Sequence, residues 1–91
     1  METGSEEARV AGPAEPTPDV VLDCTGMACP IPVVKTSQAI KKIAQGQVLE
    51  LLATDPGVEP DMKAWSRRTG NELIRISQQA DVFHVLIRRL R

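Results

Sequence analysis

Tyrosine is absent from the 91 residues, and Trp65, Phe83 and His84 are each the only residue of their kind. With so few rings, a core has to be packed from Val, Ile, Leu and Ala, and one domain of this length buries only a modest core. One histidine and two cysteines, Cys24 and Cys29, fall short of the four Cys or His ligands a structural zinc takes. His84 lies far along the chain in a strand-like pattern and reads as a strand side chain rather than a metal ligand. No apolar run approaches the length that spans a bilayer, so no membrane segment is expected. The first residues hold neither a basic region nor a hydrophobic stretch, so they do not read as a secretory signal, and the cytoplasm is the expected location. Phosphate-binding glycine loops and nucleotide or flavin fingerprints are missing as well, and no cofactor is expected.

Charge is unevenly spread. Residues 1–18 carry Glu2, Glu6, Glu7 and Glu15 against Arg9, a net of −3, whereas residues 19–91 carry ten basic and eight acidic side chains. That balance is too weakly basic to indicate direct nucleic-acid binding. Residues 1–18 also contain Pro13, Pro16 and Pro18, with Val10 the one sizeable aliphatic besides the initiator. Such a composition cannot offset its ordering entropy, so a disordered acidic tail is expected, followed by one domain over 19–91.

Within 19–91 the pattern alternates. Short apolar runs over 19–24, 47–54, 72–78 and 82–89 read as strands; the second is apolar enough for an interior position. Val33, Thr36, Ile40 and Ile43 share a face at helical spacing, which predicts a helix over 30–44 ended by Gln45-Gly46, with lysines in its last turn. A second helix is predicted within 58–69, with Pro60 near its start, Gly70 just past its end, and Val58, Met62, Trp65 and Thr69 on one face. Asp55 and Asp61 read as helix-start residues that accept free N–H groups. The order β-α-β-α-β-β predicts an α/β two-layer sandwich, a four-stranded mixed sheet with both helices on one face.

Chemistry is concentrated in one stretch, Cys29-Pro30-Ile31-Pro32. Proline suits a first helical turn, so Cys29 is placed at or next to a helix N-cap, with Gly26 free to take positive φ in the turn before it. There the thiol is expected to face the N–H groups of Ile31, Val33 and Val34 and the positive end of the helix dipole, which favour the nucleophilic thiolate. No general base is expected beside it.

Leu22-Asp23, Gly26-Met27 and Cys29-Pro30-Ile31-Pro32 together resemble the Cys-Pro-x-Pro signature of the TusA/SirA-like sulfur-carrier proteins. Asp55-Pro56, Asp61, Trp65 and Gly70-Asn71-Glu72-Leu73 resemble that family's second helix and third-strand entry, so the likeness covers about residues 19–90. It implies a sulfurtransferase-type carrier whose Cys29 accepts sulfane sulfur as a persulfide, with Pro30 and Pro32 shaping the helix start. The implied partners are a protein sulfur donor, either a cysteine desulfurase or a rhodanese-like protein, and a protein acceptor. The implied pathways are tRNA thiolation, molybdenum-cofactor synthesis or sulfur oxidation, with the chain acting as a monomer. Cys24 departs from the pattern of many members. It reads either as an end-of-strand core residue or as a resolving thiol for a Cys24–Cys29 disulfide in a thiol-redox protein. A third reading is a non-catalytic regulatory or RNA-binding module in which neither thiol reacts. Lys35, Lys41, Lys42, Lys63, Arg67 and Arg68 read as solvated helix faces or as a docking surface for acidic partners. Trp65 reads as core.

Overall fold

The computed structural model describes residues 16–91. Most of the expected tail, residues 1–15, lies outside the described residues. Six elements follow in the predicted order: β1 (Val20–Cys24), α1 (Ile31–Ile40), β2 (Val48–Ala53), α2 (Val58–Thr69), β3 (Glu72–Gln79) and β4 (Val82–Arg88). The four strands form one mixed sheet in the order β1-β2-β4-β3. β1 and β2 run parallel with Cys24 opposite Ala53, while β4 is antiparallel to both β2 and β3. The apolar run of β2 is explained by its place between two neighbours.

Alternation decides which face of the sheet is covered. Leu49, Leu51 and Ala53 of β2 and Phe83, Val85 and Ile87 of β4 point to one side and are buried there. Helix α1 brings Pro32, Thr36 and Ile40 to that side, and α2 brings Val58, Met62 and Trp65. Trp65 also ties the helices together, its Nε1–H donating to Ser37 Oγ at 2.8 Å. On the uncovered face His84 stands beside Glu50, Nδ1 to Oε2 at 3.1 Å, as a strand side chain.

One element is shorter than its sequence pattern. Periodicity extends the first helix to residue 44, but α1 ends at Ile40 with Lys41 as its C-cap. Lys41 and Lys42 therefore lie beyond the helix rather than in its last turn. Beyond Ile40 the chain goes on in tight turns, Lys42 N–H to Ala39 O and Gln47 N–H to Ala44 O, each at 3.0 Å, and Gln47 Oε1 takes the Ala44 N–H that a longer helix would give to Ile40 O. The Arg89 guanidinium donates to the carbonyls of Lys41 and Ile43 in this segment. The second helix keeps its predicted bounds because its stop is local. Gly70 takes φ +80° and donates its N–H to Ser66 O.

Candidate functional site

The loops at the carboxyl ends of the parallel strands β1 and β2 come together, and Cys29 sits in the first of them. Asp23 starts the turn, accepting from Thr25 N–H at 3.0 Å and from Thr25 Oγ1 at 2.7 Å. Those bonds hold the Asp23 carboxyl below its ordinary value. Gly26, at φ +80°, donates its N–H to Thr54 Oγ1 at 2.8 Å and so fastens the first loop to the second. The chain then reaches Cys29, joined to Pro30 by a cis peptide bond, and enters α1 with Pro30 as N-cap. Pro30, Ile31 and Val34 are exposed around this entry, whereas Pro32 is fully buried and its carbonyl accepts Thr36 Oγ1 at 2.8 Å.

A carboxylate from the second loop fixes the position of the thiol residue. Asp55 Oδ2 accepts the Cys29 N–H at 2.9 Å, and Asp55 Oδ1 accepts the Gly57 N–H at 2.8 Å. One side chain thus pins Cys29 to the residue that caps α2. A Cβ at Gly57 would stand at ordinary contact, 3.6 Å, from Cys29 Sγ, and tight, at 3.3 Å, only against Asp55 Oδ1. One turn further along α2 stands Asp61, whose carboxylate raises the Cys29 thiol above its ordinary value.

The electrostatic outcome is the reverse of the sequence expectation. Cys29 is one residue before the N-cap of α1. The N–H groups of Ile31 and Val34, expected to face the sulfur, are taken by the carbonyls of Ala28 and Pro30. Burial first, and then the carboxylates of Asp61 and Asp55, instead push the thiol up to about 11. Each of these causes favours the thiol form over the thiolate.

The Cys29 and Gly57 N–H groups hold the Asp55 carboxyl below its ordinary value. A carboxyl depressed in the folded state stabilises above its unfolded pKa, about 3.9, and that contribution is lost as pH falls through the folded value. Asp55→Asn is therefore expected to lower the thermal midpoint at pH 7. The gap to wild type should close below about pH 4, as followed by circular dichroism. A gap that stays constant with pH would rule out the charged clamp.

The remaining predicted residues are dispersed. Cys24 is a free thiol with no exposed surface, part of the core cluster, and burial raises its pKa. Lys35 is exposed on α1, and Lys63 is exposed on α2, where it pairs with Glu59 at 3.3 Å. Lys41, Lys42, Arg67 and Arg68 are exposed at the far ends of the two helices. Ten residues of α1 separate that end from Cys29, about 15 Å at the helical rise. A cavity of about 330 Å³ opens at the same far end, lined by Ser37, Ile40, Lys41, Trp65, Thr69, Asn71 and Arg91. It shares no residue with the thiol site. Among the described residues no group of three or more His, Cys, Asp or Glu is placed to hold a metal, and no helix is long and apolar enough to cross a membrane.

Sequence reasoning missed the site roles of Asp55 and Asp61. Helix-start carboxylates were legible, and Asp55 does bond a backbone N–H two residues on. What no local signal gave is that the start of the second helix lies against a loop 26 residues earlier.

Comparison with known proteins sets this geometry among relatives. Residues 20–89 match the sequence profile of the sulfurtransferase TusA family. The sulfur carrier protein TusA of Allochromatium vinosum is 38% identical over 71 residues, covering 78% of this chain and 93% of its own length. That of Pseudomonas putida is 38% identical over 73 residues, covering 80% of this chain and 91% of its own. A longer relative from Aquifex aeolicus is 43% identical over 61 residues, and this chain spans only 31% of its length. In fold, the chain is similar to the crystal structure of a SirA-like protein from Desulfitobacterium hafniense. That match has a TM-score of 0.69 at 20% identity and covers 79% of this chain and 99% of the other.

Proposed function

The chain belongs to the sulfurtransferase TusA family, and from that premise we propose that it carries sulfane sulfur as a persulfide on Cys29 and relays it to an acceptor protein. The observation that carries this reading is the contrast between the two thiols. Cys29 is part-exposed in a pinned loop ringed by exposed Pro30, Ile31 and Val34, while Cys24 is sealed in the core.

In loading, the Cys29 sulfur attacks the outer sulfur of a donor persulfide. A new S–S bond forms, the donor's S–S bond breaks, and the donor cysteine leaves as a thiolate that takes up the proton Cys29 gives up. Unloading is the same displacement in reverse sense: an acceptor thiolate attacks the outer sulfur, and Cys29 leaves as a thiolate and is reprotonated. No external oxidant or reductant enters. The donor is a cysteine desulfurase or a rhodanese-like protein, and the acceptor serves tRNA thiolation, molybdenum-cofactor synthesis or sulfur oxidation. The chain acts as a monomer, and the cations at the far helix ends dock acidic partner surfaces.

Intact-protein mass spectrometry tests the reading, after incubation with a cysteine desulfurase, pyridoxal phosphate and cysteine, and separately with polysulfide. The expected result is a gain of one sulfur atom, removed by dithiothreitol and mapped to the peptide containing Cys29. A loss of two hydrogens without sulfur gain would replace it with the Cys24–Cys29 disulfide reading. No change under either treatment would overturn the carrier reading.

A further inference from the structure

The cavity at the far end of the helices, about 330 Å³, plays no part in the chemistry of Cys29, and its walls are held in place by named bonds. Its volume is at the lower end of the range for small-molecule sites. The floor is apolar, made by Ile40 and the indole of Trp65, both buried. One wall depends on Asn71, a buried polar residue whose Oδ1 accepts the N–H groups of Leu90 at 2.8 Å and Arg91 at 3.0 Å. Those bonds pin the segment after β4 against the end of α2. Arg91 lies over Gly70, where a Cβ would stand a tight 3.1 Å from Nε. The glycine that stops α2 thus also leaves room for the arginine at the rim.

Every group left unbonded in this lining is a donor. The Thr69 hydroxyl is spent on Trp65 O and on the Asn71 amide. Ser37 Oγ accepts the indole N–H at 2.8 Å, and its own hydroxyl hydrogen has no acceptor among the described residues. The Lys41 ammonium and the Arg91 guanidinium are exposed and have no carboxylate partner among the described residues. No Asp or Glu is in the lining. The carboxylates at this end of the fold are engaged elsewhere: Glu72 takes Arg88 at 2.8 Å, and Asp19 Oδ2 takes the Val48 N–H at 2.8 Å. Arg67 and Arg68, in the last turn of α2, add further positive charge.

We propose that this cavity is a binding site for a small organic phosphate monoester, whose apolar body rests on Ile40 and Trp65 while Lys41, Arg91 and Ser37 hold its phosphate. A concave site with an apolar floor and a few polar groups at its edge is the usual form of a small-molecule site. Free donors and unpaired cations select an anion for the polar end. A phosphate monoester carries about −1.5 to −2 charge at pH 7 and three strong acceptor oxygens. It therefore matches one hydroxyl, one ammonium and one guanidinium fork, the last of which suits phosphate geometry. The site draws nothing from Cys29, so it stands apart from sulfur carriage.

The test is a nuclear magnetic resonance titration of the full chain with phenyl phosphate, followed through the indole N–H of Trp65, the only tryptophan. Inorganic phosphate, which has no body, and benzyl alcohol, which has no charge, are titrated alongside. Lys41→Gln and Arg91→Gln are compared with Lys35→Gln, a cation outside the lining; all three positions are exposed, so the fold is expected to persist. Phenyl phosphate is expected to shift the indole resonance saturably and to bind at least about threefold tighter than inorganic phosphate, through the apolar area it covers. Lys41→Gln and Arg91→Gln are each expected to weaken it at least about fivefold, the loss of a hydrogen bond to a charged group. Lys35→Gln should stay within about twofold of wild type, because its charge is screened from the site. Absence of a saturable shift would overturn the proposal, as would benzyl alcohol binding as tightly as phenyl phosphate. Inorganic phosphate binding as tightly as the ester would reduce the site to an adventitious ion only. Equal weakening by Lys35→Gln, or none by Lys41→Gln or Arg91→Gln, would replace it with a general attraction of anions to a basic surface.

Discussion

Trp65→Ala is expected to come close to unfolding the domain. Trp65 is 1% exposed, the largest fully buried side chain, and it meets the core from the middle of α2. Removing a ring system of this size from a packed core costs about 3–5 kcal/mol. Small domains have about 5–15 kcal/mol in all. The substitution also leaves Ser37 Oγ, the acceptor of the indole N–H at 2.8 Å, without its partner and loosens the tie between the helices. With only one other benzenoid ring in the chain, Phe83, no neighbouring ring can take up the volume. A fall in the thermal midpoint of more than about 15 °C, followed by far-ultraviolet circular dichroism, is the expected outcome. Trp65→Phe keeps most of the apolar contact and loses the hydrogen bond, so it should lie between the two. A shift of less than about 5 °C for the alanine variant would show that the helices are held together mainly by something else.

The second large effect is a double dissociation between the cysteines. Cys29→Ser is expected to abolish sulfur loading. A hydroxyl cannot form the sulfur–sulfur bond, and stability should stay within about 0.5 kcal/mol because the position is part-exposed. Cys24→Ser is expected to do the converse. Its hydroxyl would be buried without solvent in the core cluster, opposite Ala53, at a cost of about 1–3 kcal/mol. Loading on Cys29 should persist. The two variants are compared by mass spectrometry after desulfurase treatment and by thermal unfolding. Loss of loading in Cys24→Ser while its fold is intact would restore Cys24 as a participant.

Much of the architecture follows from local patterns. The second helix is legible end to end because its start, at Asp55-Pro56-Gly57, and its stop, at Gly70, are encoded within a few residues. The first helix is legible only at its beginning. Its end is set by tight turns and by Gln47 Oε1 taking the Ala44 N–H, which the helical spacing of the apolar residues does not report. The reactive site divides the same way. Cys-Pro-x-Pro marks the sulfur position in the sequence, but the electrical character of that sulfur does not follow from it. The Ile31 and Val34 N–H groups are used within the turn, and what raises the thiol is burial first and then carboxylates from another loop and another helix. A pattern along one helix start carries no information about a carboxylate 26 or 32 residues later.

Strand β1 is an edge, hydrogen-bonded to β2 alone, and its residues Val20 and Val21 are exposed. Stability is not uniform across a fold, and strands with few buried contacts open before the rest. Lifting β1 would leave the β2-β4-β3 ladder whole, yet it would undo the Gly26–Thr54 and Asp55–Cys29 bonds and uncover Cys24 in the same motion. Opening of β1 is therefore expected to disturb the geometry of Cys29 while the β2-β4-β3 ladder stays paired.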